Sequence, residues 1–192
     1  ESVIYAGNAH ETHLKGWFKR GEIEGQLMAA SEDDEGAFRL RKGWFLGDGT
    51  GCGKGRQVAG IILDNWLQGR RRAVWVSKSD KLIEDARRDW MALGARESDI
   101  VPLSKFRQGS DIRLPEGILF ITYATLRSAE RDGKASRLDQ VTSWLGEEFD
   151  GVIAFDESHA MANAAGEKSD RGDKKASQQG LAGLALQNAV PD

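Results

Sequence analysis

Glycines are concentrated around one lysine in a ten-residue stretch of this chain, LGDGTGCGKG at residues 46–55. Glycines let backbone N–H groups point at an anion without obstruction by Cβ atoms, and the start of a following helix adds a positive dipole end. Lys54 would neutralise the β- and γ-phosphates of a nucleotide. The stretch therefore predicts a phosphate-binding loop, although taken alone it leaves open a chance run of glycines.

The loop departs from the common pattern G-x-x-x-x-G-K-[ST] at two positions. Asp48 stands at the first glycine, and Gly55 stands where a Ser or Thr hydroxyl normally binds magnesium. A known variant, A-x-T-G-x-G-K-T, fits better, and four residues fall in its register: Thr50, Gly51, Gly53 and Lys54. Without the hydroxyl the magnesium must take one more water. Because Mg²⁺ normally keeps several waters, we expect weaker binding rather than none.

The candidate nucleotide-binding residues run from the loop into the first helical turn: Gly49, Thr50, Gly51, Cys52, Gly53, Lys54, Gly55 and Arg56. Arg56 is included on the hypothesis that it supplies compensating positive charge near the phosphates. A solvated arginine is the alternative for this position.

A second motif, GVIAFDESHA at residues 151–160, is an apolar run that ends in Asp156 and Glu157. A carboxylate at the end of a strand beside a phosphate loop can hold magnesium, often through water. A second carboxylate can orient or deprotonate an attacking water. Alone, the run could be an acidic strand end followed by a histidine whose hydrogen bonds are satisfied within the fold. The two motifs together predict a site for ATP and Mg²⁺.

Short apolar runs alternate with helical patterns along the chain, which predicts an α/β fold with a mostly parallel central sheet and helices on both faces. The predicted strands are Trp44–Leu46, Ala73–Ser77, Ile100–Leu103, Gly117–Tyr123 and Val152–Asp156. The predicted helices run from the loop to Gly69, from Ser79 to Gly94, over 137–146 and over 181–189. Residues 22–42 predict a hairpin insertion, "GQLMAA" and "AFRLR" around the acidic turn SEDDEG, and 164–180 a mobile polar loop.

The bulk composition fits one domain and excludes several classes of protein. The net charge of −3 gives no overall electrostatic reason to bind nucleic acid or a membrane, so any nucleic-acid contact needs a local basic face. A single cysteine excludes an internal disulfide and favours a reducing compartment. No apolar run approaches the roughly 20 residues that span a bilayer. We expect a soluble, cytoplasmic domain.

With both motifs in hand, the chain resembles the first RecA-like lobe of a superfamily 2 helicase or translocase, and more narrowly the Strawberry notch family, closest to its bacterial and mobile-element members. The resemblance is carried by "GWFLGDGTGCGKGRQVAGIILDNWLQGRRRAVWVS", "ITYATLRS", "RLDQVTSWLGEEFDGVIAFDESHAMAN" and "GLAGLALQNAVPD". It implies a three-layer RecA-like P-loop domain over 1–192. It also implies a fragment, since the family's adenine-reading glutamine would precede residue 1 and its Ser-Ala-Thr motif would follow Asp192.

Residue roles follow from the resemblance. Gly49 to Lys54 would be the phosphate loop, Asp156 the magnesium carboxylate and Glu157 the residue that activates water. His159 would couple the nucleotide state to the nucleic-acid side. The loops after the second and fourth predicted strands would touch nucleic-acid phosphates through four residues: Ser77, Lys78, Thr122 and Arg127. Helix capping is the alternative for residues 77–80.

The resemblance implies an ATP-binding lobe of a DExH-type helicase or translocase, acting on DNA or RNA through single-stranded contacts once joined to a second, C-terminal RecA-like lobe. A methyltransferase-like part could be fused to such a protein. Alone, the chain should hydrolyse ATP slowly or not at all, because the arginine finger lies on the second lobe. Two alternatives stay open: a nucleotide-binding or degenerate-ATPase interaction module in gene regulation, and a small-molecule kinase.

Overall fold

The computed structural model describes residues 1–22, 26–49, 51–127, 135–162 and 177–190. Its strands are β1 Trp17–Arg20, β2 Leu27–Ala30, β3 Arg72–Ser77, β4 Ile100–Pro102, β5 Gly117–Thr122 and β6 Val152–Phe155. Its α-helices are α1 Ser2–His10, α2 Lys54–Leu67, α3 Ile83–Met91, α4 Tyr123–Leu126, α5 Arg137–Leu145 and α6 Gln178–Ala189. Short 3-10 turns are Asp80–Leu82, Glu97–Asp99, Leu103–Lys105 and Ser158–Met161.

Four strands form a parallel sheet in the order β4-β5-β3-β6. Along β3, Ala73 and Trp75 face the core beneath α1, α2 and α3, whereas Val74 and Val76 face the core beneath α4, α5 and α6. Strands buried on both faces of a parallel sheet are nearly continuous apolar runs, and the four residues of β3 between Arg72 and Ser77 are all apolar. The predicted α/β fold with helices on both faces is confirmed.

The carboxyl ends of the parallel strands meet at one edge of the sheet. Ser77, the last residue of β3, is opposite Thr122, the last residue of β5. On the other side of β3, the Asp156 amide donates to the Val76 carbonyl at 2.8 Å, just beyond the end of β6. Three polar side chains are therefore gathered at this edge by strand register.

Most of the predicted elements are confirmed to within one to three residues. Helix α2 ends at Leu67, just before Gly69, whose φ of 92° is a conformation that favours glycine. Helix α6 begins at Gln178, earlier than predicted, because the Ser177 hydroxyl accepts a bond from the Gly180 amide and caps the helix. The rest of the predicted polar loop, residues 164–176, lies outside the described residues.

The predicted strand Trp44–Leu46 is wrong, because it pairs with none of the described strands. Trp44 instead stacks on Tyr5 of α1, with ring centroids 6.0 Å apart, and Phe45 is largely exposed. Only three apolar residues stand between Gly43 and Gly47, and flanking glycines add to the entropic cost of extended structure. A groove of about 450 Å³ is lined by this segment and by β6.

The predicted hairpin around the acidic turn is also wrong in its pairing. Strand β2 pairs antiparallel with β1, and Phe38 forms an isolated bridge with Phe18 of the same strand. Both segments thus use β1 as their partner rather than each other. The sequence reading missed β1, a short strand that begins with two aromatic residues and pairs along both of its edges.

Within the described residues, no helix is long and apolar enough to cross a membrane.

Replacement of a sheet residue tests the placement of this core. Phe120 is 1% exposed and Phe45 is 79% exposed. Phe120→Ala should lower the free energy of unfolding by about 3–5 kcal/mol, because it leaves a cavity in the core. Phe45→Ala should change it by no more than about 0.5 kcal/mol. Urea unfolding of the two variants measures both values, and similar losses would contradict the described core.

Candidate nucleotide-binding site

The glycine-rich loop leads directly into α2. Gly51 and Gly53 have φ values of 85° and 69°, a left-handed conformation that non-glycine residues adopt only with strain. Thr50, a predicted member of the loop, lies outside the described residues. No side chain in the described part of the chain caps the start of α2. The backbone N–H groups of its first turn are therefore available to an anion.

The Lys54 side chain folds back over this loop. Its ammonium group donates to the backbone carbonyls of Asp48 and Gly49 at 3.0 and 2.9 Å. The Gln57 amide closes the loop from the other end, donating to the Asp48 carboxylate at 2.8 Å and to the Cys52 carbonyl at 3.0 Å. The ammonium group is thus held at the loop, where phosphate oxygens can replace the two carbonyls.

The structure gives a packing reason for glycine at position 55. A Cβ atom built on Gly55 would overlap the Asp89 carboxylate of α3. That carboxylate is mostly buried and is 3.4 Å from the Arg56 guanidinium and 3.9 Å from that of Arg88. Asp89 therefore fills the space that a Ser or Thr side chain would need. Arg56, predicted to face the phosphates, pairs with this carboxylate and is half exposed.

Asp156 is held at its carboxylate, its amide and its carbonyl. The buried Ser77 hydroxyl donates to the carboxylate oxygen Oδ2 at 3.0 Å, and the amide donates to Val76. The Tyr123 hydroxyl donates to the Asp156 carbonyl at 2.8 Å. Burial raises the pKa of Tyr123 far above its ordinary value, and the charges of Asp156 and Glu157 raise it further. Tyr123 therefore remains protonated, and a donor, at neutral pH.

Glu157 follows in a strained conformation, with φ 52° and ψ 44°. Among the described residues it is the one non-glycine with positive φ, a state that typically costs about 1–3 kcal/mol. Its exposed carboxylate is 3.2 Å from Nδ1 of His159, which is itself mostly exposed. Glu157 and His159 thus form a solvent-facing pair next to the anchored Asp156.

The four residues predicted to contact nucleic acid fall into two groups. Lys78 and Arg127 are exposed, whereas Ser77 and Thr122 are 0% and 4% exposed. The Thr122 hydroxyl is 3.0 Å from that of Thr125 and accepts from its amide, so it caps α4. The capping alternative is confirmed for Ser79, whose hydroxyl accepts from the Lys81 amide.

Sequence reasoning missed two residues of this site, Tyr123 and Asp89. Tyr123 is the last residue of a predicted strand, so its position at the functional edge could have been noticed. Asp89 carries no local signal, because its contact with Gly55 depends on how α2 and α3 pack.

A parallel α/β sheet, a glycine loop opening a helix and a carboxylate pair at a strand end define a P-loop nucleotide hydrolase domain. The family described as "P-loop containing NTP hydrolase pore-1" matches residues 1–192, and this chain belongs to that family.

Curated relatives are strawberry notch proteins and one plant protein. The chain is 39% identical over 191 residues to protein strawberry notch homolog 1 of Gallus gallus, covering 95% of this chain and 15% of that protein. It is 40% identical over 199 residues to protein strawberry notch of Drosophila melanogaster, covering 100% and 10%. It is 39% identical over 195 residues to protein FORGETTER 1 of Arabidopsis thaliana, covering 100% and 13%. No solved structure matches the chain.

These relatives confirm the resemblance to the Strawberry notch family. They are animal and plant proteins, so a closer relation to bacterial or mobile-element members stays a prediction. The chain spans between 9% and 15% of the length of the relatives it matches.

The contact between Gly55 and Asp89 can be tested by substitution. Gly55→Ser should lower the free energy of unfolding by about 1–3 kcal/mol, because the added side chain displaces a mostly buried carboxylate. The same change in an Asp89→Ala background should cost little, because serine is the better helix former once space exists. Urea unfolding of the four proteins in this double-mutant cycle measures the coupling.

Gly43→Ser is the matched control, since a Cβ there meets nothing within 4 Å. It should leave stability within about 0.5 kcal/mol of wild type. Equal costs for Gly55→Ser with and without Asp89 would show that Asp89 does not occupy the space.

Proposed function

We propose that this domain binds ATP with Mg²⁺ and is the ATP-binding lobe of a superfamily 2 DExH-type helicase or translocase. One observation carries the proposal: the Lys54 ammonium is held over a glycine loop that opens onto the uncapped start of a 14-residue helix. This arrangement offers N–H donors, a positive helix end and the Lys54 ammonium to the same anion. A triphosphate has the charge and the oxygen acceptors to use all three.

The residues present fit a magnesium ion bound mainly through water. The described residues contain no group of three or more His, Cys, Asp or Glu side chains that could hold a metal. Mg²⁺ typically binds one or two carboxylates, substrate phosphates and several waters. Asp156 would hold it through this water shell, and the ion would neutralise charge on the phosphates.

Glu157 is the residue that we assign to water activation. Its carboxylate is half exposed and lies beside the His159 imidazole, which can restrain its orientation. A carboxylate in this position can orient or deprotonate a water for attack on the terminal phosphate. His159 would then report the nucleotide state to neighbouring surfaces, as the family resemblance implies.

Nucleic acid, a second lobe and a fused methyltransferase-like part are proposed as partners of the whole protein. Lys78 directly follows the end of β3, and Arg127 follows α4, the short helix that begins at the end of β5; both are exposed. They can pair with phosphates of single-stranded DNA or RNA without reading sequence. Hydrolysis by the 192 residues alone should be slow or absent, because the arginine finger would come from the second lobe.

A second candidate is a nucleotide-binding interaction module that does not turn over. It is favoured by Gly55 and by the Asp89 carboxylate that abuts it, since a negative group near this helix start opposes a polyphosphate. Nucleic-acid-stimulated hydrolysis by a two-lobe protein would exclude this candidate, and tight binding without turnover would favour it.

Calorimetric titration with ATP, in the presence and absence of Mg²⁺, tests the site. Lys54→Ala should weaken ATP binding roughly 10- to 150-fold, because charge-assisted hydrogen bonds contribute about 1.5–3 kcal/mol. Asp156→Ala should make the affinity insensitive to Mg²⁺. Lys105→Ala removes the same charge from an exposed lysine in a turn outside the site, and should bind ATP as the wild type does.

Two results would contradict the proposal. One is wild-type chain that binds no ATP at millimolar concentration. The other is a Lys54→Ala variant that binds as tightly as Lys105→Ala.

The single cysteine of the sequence, Cys52, offers an independent test. It is exposed and lies inside the loop. Bound ATP and Mg²⁺ should slow its alkylation by iodoacetamide several-fold, because the phosphates would cover the loop. The Lys54→Ala variant should lose this protection. Equal alkylation rates with and without nucleotide in the wild type would exclude phosphate binding at the loop.

A further inference from the structure

Ser77 is a polar residue at the carboxyl end of β3, directly after four apolar residues. It is 0% exposed, like its neighbour Val76. A hydroxyl removed from water is costly unless it is hydrogen-bonded. The partner of this hydroxyl is the Asp156 carboxylate, 79 residues away in the chain. Position 77 therefore holds a polar side chain in the core, where an apolar one would bury more favourably, and this side chain makes one specific hydrogen bond to a carboxylate.

Thr122 shows that this bond is not a general property of hydroxyls at this edge. It is opposite Ser77 in the sheet register and is also buried. Its hydroxyl bonds to Thr125, one turn away, and caps α4. Two adjacent buried hydroxyls at the same level of the sheet therefore have different tasks.

The bond from Ser77 belongs to a set that immobilises Asp156. The Val76 carbonyl holds its amide at 2.8 Å, and the Tyr123 hydroxyl holds its carbonyl at 2.8 Å. The backbone on both sides of the carboxylate is therefore fixed. These backbone bonds leave the side chain able to rotate, and among the described residues the Ser77 hydroxyl is the donor that restrains this rotation.

We propose that Ser77 is a positioning residue for the magnesium carboxylate, its hydroxyl holding Asp156 in the orientation that accepts metal-bound water. The inference rests on the proposed function, since it assumes that Asp156 serves Mg²⁺. It gives Ser77 a task different from the nucleic-acid contact that the family resemblance implies. Groups that orient a ligand in this way commonly change metal affinity 10- to 100-fold when removed.

The test is calorimetric binding of ATP by this chain with Mg²⁺ and with EDTA. For Ser77→Ala, the enhancement of ATP affinity by Mg²⁺ should fall about 10-fold. The affinity in EDTA should stay within about 2-fold of wild type, because the Ser77 hydroxyl donates to Asp156 and not to a described residue of the phosphate loop. Thr142→Val, which removes a hydroxyl that donates to the Asp139 carbonyl within α5, should keep the wild-type enhancement.

Ser77→Cys replaces the hydroxyl with a slightly larger thiol, which is only a weak donor. This variant should also reduce the enhancement of ATP affinity by Mg²⁺, and it replaces Ser77→Ala in the test if Ser77→Ala does not fold. Thermal unfolding without nucleotide establishes that each variant is folded.

Three outcomes would overturn the proposal. A Ser77 variant with wild-type enhancement would show that the hydroxyl does not position Asp156. Equal losses of affinity with Mg²⁺ and with EDTA would show a structural effect only. If Asp156→Ala also keeps the enhancement, or the wild type shows none, the proposed function fails as well; if Asp156→Ala loses it and Ser77→Ala keeps it, only this inference fails.

Discussion

The parallel register of β3 with its two neighbours is the constraint on which the site depends. It places Ser77 opposite Thr122, and Val76 opposite Phe155, so that Asp156 emerges beside Ser77. Because β3 is buried on both faces, a slip of one residue would exchange its two sets of side chains. The core therefore sets the register, and the register brings the carboxylate to its hydroxyl donor.

The two loops at this edge obtain sharp backbone turns in different ways. The phosphate loop uses glycine at Gly51 and Gly53, where a left-handed conformation costs little. In the acidic motif Glu157 adopts the same left-handed backbone conformation although it is not a glycine. This conformation must therefore be stabilised by the surrounding structure. The three hydrogen bonds to Asp156, immediately before it, are the contacts that can sustain this strain. Rigid strands thus support a loop conformation that the loop sequence alone would not favour.

Sequence alone was sufficient for the parallel sheet and for most helices, because apolar runs and helical periodicity reflect burial directly. It failed for Trp44–Leu46, since three apolar residues cannot indicate whether they pair with a strand or stack on Tyr5. It could not show that Asp89 fills the space that a side chain at position 55 would need, because this depends on how α2 packs against α3. For Ser77, the strand end was predicted, but the partner of its hydroxyl depends on which strand lies alongside.

The central claim is that the glycine loop and Asp156 serve one nucleotide. The most direct measurement is a crystal structure of this chain with Mg²⁺ and a non-hydrolysable ATP analogue. The account predicts that the triphosphate lies on the N–H groups at the start of α2 and that Lys54 leaves the Asp48 and Gly49 carbonyls for phosphate oxygens. It also predicts a hydrated metal beside Asp156, with the Ser77 bond intact. An analogue bound elsewhere, or Lys54 still on its carbonyls beside bound phosphate, would contradict it.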